Sequence, residues 1–343
     1  MRLNVPARWL PSAVVALTVP AIVWLVLLAG GYDSGRAFAA LWNGAFGSTY
    51  AVLSATLVRA TPLLFVGLAV ALAFRAGVLN IGAEGQLLMG AAAATAAGLA
   101  FGGLPRVVAL PFALLAGAGA GAAWAGIAGW LRVRFGVLEV ISTLMLNFLG
   151  VYVVSWLVRG PLQEPTHIYP QTAELSPSVH LPVLVPGHRV HVGFALAVVL
   201  CIATWWFFTH TAAGFRVRAI GAGRAAAESA GGINTARTAV VVFIASGALA
   251  GLGGAGEVTG VTFALYEGIS PGYGYSAIAV ALLARLHPLA IVFSALFFGA
   301  LEAGAAAMQR DANVPSVLAS AVEALVVLGI LAIDHARTRG QPE

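Results

Sequence analysis

The sequence predicts an all-α integral membrane protein with about ten transmembrane helices, in two oppositely oriented halves that each carry a broken or re-entrant segment. Three observations predict it. Sixty per cent of the 343 residues are hydrophobic and nine per cent charged, whereas a globular domain is about a quarter charged. The apolar residues gather into runs of roughly 17–25, the length that crosses a bilayer as helix. Two runs are interrupted by Gly-rich polar stretches, R-A-G-V-L-N-I-G-A-E-G-Q-L-L-M-G (Arg75–Gly90) and G-I-S-P-G-Y-G-Y-S (Gly268–Ser276). Irregular backbone is tolerated at membrane depth only where it is buried in protein or lines a cavity, and paired interruptions point to a transport pathway.

Taken in order, residues 10–31 form a first span. Its apolar length exceeds the core of a cleaved signal peptide, about 7–15 residues. Residues 32–48 read as a short polar connection. Residues 49–158 make a first half, with spans over 49–74, 85–101, 107–131 and 137–158. Arg59 and Pro62 predict that the first of these is broken or begins near Arg59. The glycines of 107–131 read as helix-packing positions. Residues 159–191 hold six prolines and four of the seven histidines, and read as an ordered extracytoplasmic loop without metal-ligand spacing. Residues 192–209 form span six, with Trp205–Trp206 at its end as an aromatic belt. A basic segment, 210–237, follows. The second half is 238–333, with runs at 238–256, 276–286, 288–308 and 316–333, and 334–343 is a polar tail.

Lysine is absent, and the net charge of +5 comes from Arg. With a cytoplasmic N-terminus, inside segments hold Arg2, Arg8, Arg75, Arg132, Arg134, Arg216, Arg218, Arg224, Arg237, Arg285, Arg337 and Arg339; outside ones hold Arg36, Arg59, Arg106, Arg159, Arg189 and Arg310. That two-to-one bias places both termini and 210–237 in the cytoplasm. It speaks for a topology signal and against a nucleic-acid patch. The lone Cys201 excludes an intramolecular disulfide and a cysteine metal cluster. No nucleophile with a paired base is present, and a P-loop needs a Lys. The chain therefore reads as no enzyme. An active transporter built from it uses an ion gradient or borrows an ATPase subunit.

Arg75–Ala91, E-V-I-S-T-L-M-L-N (Glu139–Asn147), G-P-L-Q-E-P with P-Q-T (Gly160–Thr172), G-F-R-V-R-A-I-G-A (Gly214–Ala222) and Gly268–Leu283 follow one another along the chain. Together they resemble the permease subunits of bacterial ABC importers, in the ribose-type and branched-chain permease family, nucleoside or simple-sugar branch. The resemblance covers about Ala51 to Ile333. It implies a bacterial inner-membrane protein without a cofactor, in which two permeases form the pore. It also implies cytoplasmic ABC ATPase subunits and an extracytoplasmic substrate-binding lipoprotein as partners. Gly214–Gly232 would be the coupling helix that docks on the ATPase, with Gly214, Arg216, Arg218, Gly221, Arg224 and Ala226 as its contact residues. The sequence departs from the family at Gly223, where relatives commonly carry Asn, and at Gly231–Gly232.

Read from the residues alone, two roles stand open at each polar position. Asn80, Glu84 and Gln86 either line the solute pathway or hold the broken helix together by hydrogen bonds. Asn147 reaches the pathway or joins two helices. Phe263, Tyr266, Tyr273 and Tyr275 stack on a nucleobase or sugar ring, or belong to the interfacial belt. An ion-coupled carrier of a small polar solute is the alternative function, and Glu84, Glu302 and Glu323 would be its intramembrane acids.

Overall fold

The computed structural model describes residues 10–315, with 317–318, 320–321, 324–325 and 328–329. Arg2, Arg8, Glu323, the tail 334–343 and most of the run 316–333 lie outside the described residues. Among the described residues there are twelve α-helices and no strand beyond two isolated antiparallel bridges, Gln171 with Tyr266 and Val183 with His191.

Among the described residues six stretches are long and apolar enough to cross a membrane: Ala51–Arg75, Arg106–Phe135, Glu139–Arg159, Val192–His210, Thr235–Thr262 and Pro288–Asp311. Pro20–Ala29 and Tyr273–Leu283 are shorter apolar helices. The described residues thus supply fewer full-length spans than the ten expected, of which the run 316–333 lies mostly outside them. The interruptions account for part of the difference, because each leaves a helix that starts late and carries polar groups in its first turn.

The chain divides into two compact units, residues 1–59 with 299–343 and residues 60–298. In the first, α1 (Leu10–Ala29) is followed by α2 (Ser34–Phe46), where a polar connection was expected. Asp33 starts α2 by accepting the Arg36 N–H at 2.9 Å, satisfying an end group of the helix. One face of α2 buries Ala37 and Ala40 against Val23, Leu27, Met308 and Val314. An amphipathic helix this short leaves little trace in a hydropathy pattern. The break expected at Arg59 and Pro62 is absent. Ala51–Thr56 is instead a π-helical turn that runs straight into α3 (Leu57–Arg75), with Pro62 inside.

The second unit is built on α4 (Ala83–Phe101), α5 (Arg106–Phe135) and α10 (Thr235–Glu257). Small residues let these three approach closely. A Cβ at Gly121 would reach 2.7 Å from Gly251 Cα, and one at Gly117 would reach 2.7 Å from Ala255 Cβ. Without a hydrophobic drive between helices in lipid, such backbone proximity is what joins them. α6 (Glu139–Arg159), α7 (Val192–His210) and α11 (Tyr273–Leu283) surround this centre, and α12 (Pro288–Asp311) begins in this unit. The basic segment forms two helices, α8 (Ala212–Ala222) and α9 (Arg224–Gly231).

Candidate functional site

Both interruptions start helices, and the two starts meet. After α3, Gly77 turns the chain with φ +68°, a conformation that suits glycine. Asn80 is fully buried. Its amide and that of Gln86 exchange two hydrogen bonds, Nδ2 to Oε1 at 3.0 Å and Nε2 to Oδ1 at 2.9 Å. Asn80 also donates to Ser246 Oγ on α10 at 2.9 Å and accepts the Gly82 N–H at 3.0 Å. Ser246 in turn donates to the Ala69 carbonyl at 2.8 Å. The Asn80 amide is thereby used up within the protein and holds Gln86 in place, closing the gap between α3 and α4 against α10.

Glu84 lies in the first turn of α4 and is buried. Its carboxylate accepts the Gly274 N–H, in the first turn of α11, at 2.6 Å, and a hydrogen bond from Ser270. Ser270 Oγ also accepts the N–H groups of Gly272 and Tyr273 at 3.2 and 3.1 Å. One carboxylate thus answers the positive ends of two helices, its own and α11. The approach needs glycine: a Cβ at Gly274 would fall 2.5 Å from Glu84 Cα.

Asn147 on α6 completes the cluster. Its Oδ1 accepts the Gly85 N–H at 2.8 Å, and its Nδ2 donates to the Ile81 carbonyl at 2.9 Å and reaches the Tyr275 hydroxyl at 3.4 Å. Tyr275 is 45% exposed, so among these residues it offers an open ring. Tyr273 is buried beside it.

Phe263 sits elsewhere. It follows the π-helical turn Val258–Thr262 at φ +56° and stacks on His180 with centroids 4.0 Å apart. Residues 159–191 clip onto this stretch: the N–H groups of Thr172, Leu175 and Leu181 reach the carbonyls of Leu265, Phe263 and Thr259 at 2.9, 2.7 and 2.8 Å. Glu267 takes two bonds from Arg159, both 2.7 Å, and one from Ser155. The Arg159 and Ser155 bonds hold its carboxyl down at about 2. Tyr266 pairs with Gln171 in this same layer.

In the basic segment Gly214 and Gly221 face inward. A Cβ at Gly221 would fall 2.9 Å from the Arg75 carbonyl carbon and 3.4 Å from Gly77 N, and one at Gly214 would fall 2.7 Å from Phe208 Cα. The segment is therefore seated directly on the end of α3, where the first interruption begins. Arg75 lies over the Phe208 ring at 5.1 Å. Arg216, Arg218 and Ala226 are exposed. Arg224 is engaged internally, with Glu228 at 3.5 Å and Thr235 Oγ1 at 3.2 Å. Glu228 also accepts from Thr235. The helix breaks at Gly223, the position where the sequence departs from the family pattern.

Ser246 and Ser270 were not singled out from the sequence. A signal existed for each: Ser246 is the one polar residue in a run of small and apolar ones, and Ser270 precedes Pro-Gly and a helix start.

A helical protein whose two interrupted segments meet through one buried carboxylate, backed by an exposed basic segment, has the make-up of a polytopic solute permease. This chain belongs to the family described as branched-chain amino acid transport system / permease component, whose profile matches residues 52–331. It is 38% identical over 96% of its length to the glucose ABC transporter permease protein of Haloferax volcanii, covering 89% of that protein. It is 37% identical to the guanosine ABC transporter permease protein of Bacillus subtilis, over 89% of this chain and 87% of the relative. The nucleoside ABC transporter permease protein of Lactococcus lactis is 30% identical, over 88% and 85%. No solved structure gives a significant match. The chain is thus a multi-pass ABC transporter permease, and the ion-coupled carrier is not favoured.

Proposed function

We propose that the chain forms the solute pathway of an ATP-driven importer for a nucleoside or a simple sugar. Three relatives are named as glucose, guanosine and nucleoside ABC transporter permease proteins. The observation that carries the mechanism is the seat of the basic segment: Gly221 packs on the Arg75 carbonyl, two residues before the Gly77 turn. A push on α8 is delivered to the first interruption and, through Glu84 and Asn147, to α11 and α6.

In this reading ATP is hydrolysed by separate cytoplasmic ABC ATPase subunits, and α8–α9 dock on them. Arg218 and Ala226 face the ATPase, Arg216 lines the groove beside α10, and Gly214, Gly221 and Arg224 hold the lever in shape. A second permease, identical or homologous, completes the pore, and an extracytoplasmic binding lipoprotein delivers solute to the 159–191 side. The chain lies in the bacterial inner membrane with both termini cytoplasmic. Its ten crossings are the six long spans, α1, α4, α11 and residues 316–333, in two opposed halves, 49–158 and 238–333. Tyr275 contacts the solute, with Asn147 orienting its hydroxyl; Asn80, Gln86 and Glu84 shape the passage by fixing the helix starts. Phe263 and Tyr273 act from behind, through the His180 stack and the α11 turn.

The deciding experiment reverses exposed positions of the segment. Arg218→Glu with Ala226→Glu is expected to stop uptake in reconstituted vesicles and to release the ATPase on purification, while binding protein still associates. Full uptake by this variant, in membranes without a bound ATPase, would end the importer reading.

A further inference from the structure

A cavity of about 870 Å³ opens among α7, α8 and the first half of α10, and the transport mechanism makes no use of it. Leu72, Phe207, Val242 and Ala245 supply apolar lining, and Arg216 and Arg237 join them. Arg237 is in the first turn of α10. Ala245 lies eight residues on, about 12 Å deeper along the helix at about 1.5 Å per residue. The cavity therefore runs from a cationic end to an apolar end. Among the described residues neither Arg216 nor Arg237 forms an ion pair with a carboxylate. The start of α10 adds the partial positive charge of a helix N-terminus to the same end.

A second feature fixes the depth. Trp205 and Trp206, in the last turns of α7, gather around His210, with ring centroids 5.8 and 6.1 Å from its own. Tryptophan concentrates where hydrocarbon meets headgroups. Thr204 and Phe207, which flank this pair, line the cavity. Val241, also in its wall, is 56% exposed on the outer face of α10. The cationic end thus sits at headgroup level and the apolar end within the acyl layer.

We infer that this cavity binds an anionic phospholipid, its phosphate held by Arg216 and Arg237 and an acyl chain lying along Ala203, Val242 and Ala245. The volume is within the roughly 300–1,000 Å³ of small-molecule pockets, enough for a headgroup and part of a chain. A water-soluble phosphate would leave the apolar length unused. The inference rests on the cytoplasmic placement of 210–237, since anionic lipid and basic residues meet on that leaflet, each Arg strengthening the attraction several-fold. The consequence is regulatory: the lipid braces α8 against α10, so the lever is stiffest in a bilayer that supplies the ligand.

Lipid retention tests this independently of transport. The full chain, purified in detergent with its partner subunits and stripped of lipid, is mixed with phosphatidylglycerol, with phosphatidylcholine of the same acyl chains, or with inorganic phosphate, and retained lipid is read by native mass spectrometry. Phosphatidylglycerol should be held about tenfold better than phosphatidylcholine. Arg216→Gln with Arg237→Gln should erase that preference, and the paired Lys variants should keep most of it. Thr204→Phe, which fills the cavity from α7, should lower retention of both lipids, with thermal melting confirming that each variant is folded. Equal preference in the Gln pair would overturn the inference. So would protection by inorganic phosphate matching that of phosphatidylglycerol, or cross-linking of Thr238→Cys to a partner subunit that covers the cavity.

Discussion

Glu84 shows how one side chain can belong to two helices. A buried carboxylate in an apolar protein is costly, and here its cost is offset by the Gly274 N–H, the Ser270 contact and the positive ends of α4 and α11. Glu84→Ala leaves the Gly274 N–H without its acceptor, a loss of about 1–3 kcal/mol. Lower thermal stability and strongly reduced uptake are expected, whereas Glu84→Gln keeps a carbonyl acceptor and should recover most of the stability. Wild-type melting and uptake in the Ala variant would show the bond to be dispensable. His191 offers a pH test in the loop before α7. Its Nδ1 accepts the Gly193 N–H at 3.2 Å, and among the described residues its buried Nε2 finds no hydrogen-bond partner. Burial, and secondarily the charge of Arg189, depress its pKa from 6.5 to about 4. The unfolded chain therefore takes up a proton that the folded one refuses between those values. The stabilising effect is complete above pH 6.5 and is lost as pH falls toward 4, a change on the order of 3 kcal/mol. Melting measured across that window should show the loss, and His191→Asn, which can still cap α7, should flatten it. A slope unchanged in the Asn variant would assign the effect to other groups.

At the scale of elements, the α5–α10 crossing holds the larger unit together. A Cβ at Gly121 would press on the Gly251 backbone, its nitrogen 2.9 Å away, while a Cβ at Gly119 would meet nothing within 4 Å. Gly121→Ala should cost about 1–3 kcal/mol or more, since backbone cannot yield as a side chain can. Gly119→Ala should be neutral or stabilise by a few tenths, through helix propensity alone. Equal yields of folded protein for the two variants would contradict close packing at this seam. Both glycines belong to one Gly-Ala run that the sequence marks as packing, but the sequence does not say which faces a partner. That limit recurs. Runs of apolar residues made α5, α6, α7 and α10 legible, because span length alone defines them. The helix α2 was not, since its burial depends on residues some 270 positions away, such as Met308. The two interruptions were legible as a pair, yet that Glu84 of one caps the helix of the other is a long-range fact that no spacing encodes. The same holds for Arg224, whose charge suggested an outward contact and whose guanidinium turns to Glu228 and Thr235.

For the molecule as a whole, the prediction is which side of the membrane each loop occupies. On the proposed topology 210–237 is cytoplasmic and 159–191 lies outside, as the two-to-one Arg bias predicts, and both the ATPase dock and the lipid site follow from it. Several features make a labelling test clean. The one native thiol, Cys201, is fully buried within α7 and out of reach of a reagent in water. Cys201→Ser therefore gives a background that loses only a small apolar contact. Ile168 is 70% exposed in the outer loop, and Ala226 is exposed on α9, so a cysteine at either place is reachable without unfolding the chain. Intact cells treated with a membrane-impermeant maleimide should label Ile168→Cys and spare Ala226→Cys. Opening the membrane should bring the second up to the first. Labelling of Ala226→Cys in intact cells would invert the topology, because a maleimide that cannot cross the bilayer reaches only outward-facing thiols. Protection of Ala226→Cys in opened membranes, relieved when the ATPase is stripped away, would instead add direct support for the dock, since exposed helix α9 is covered only when another subunit sits on it.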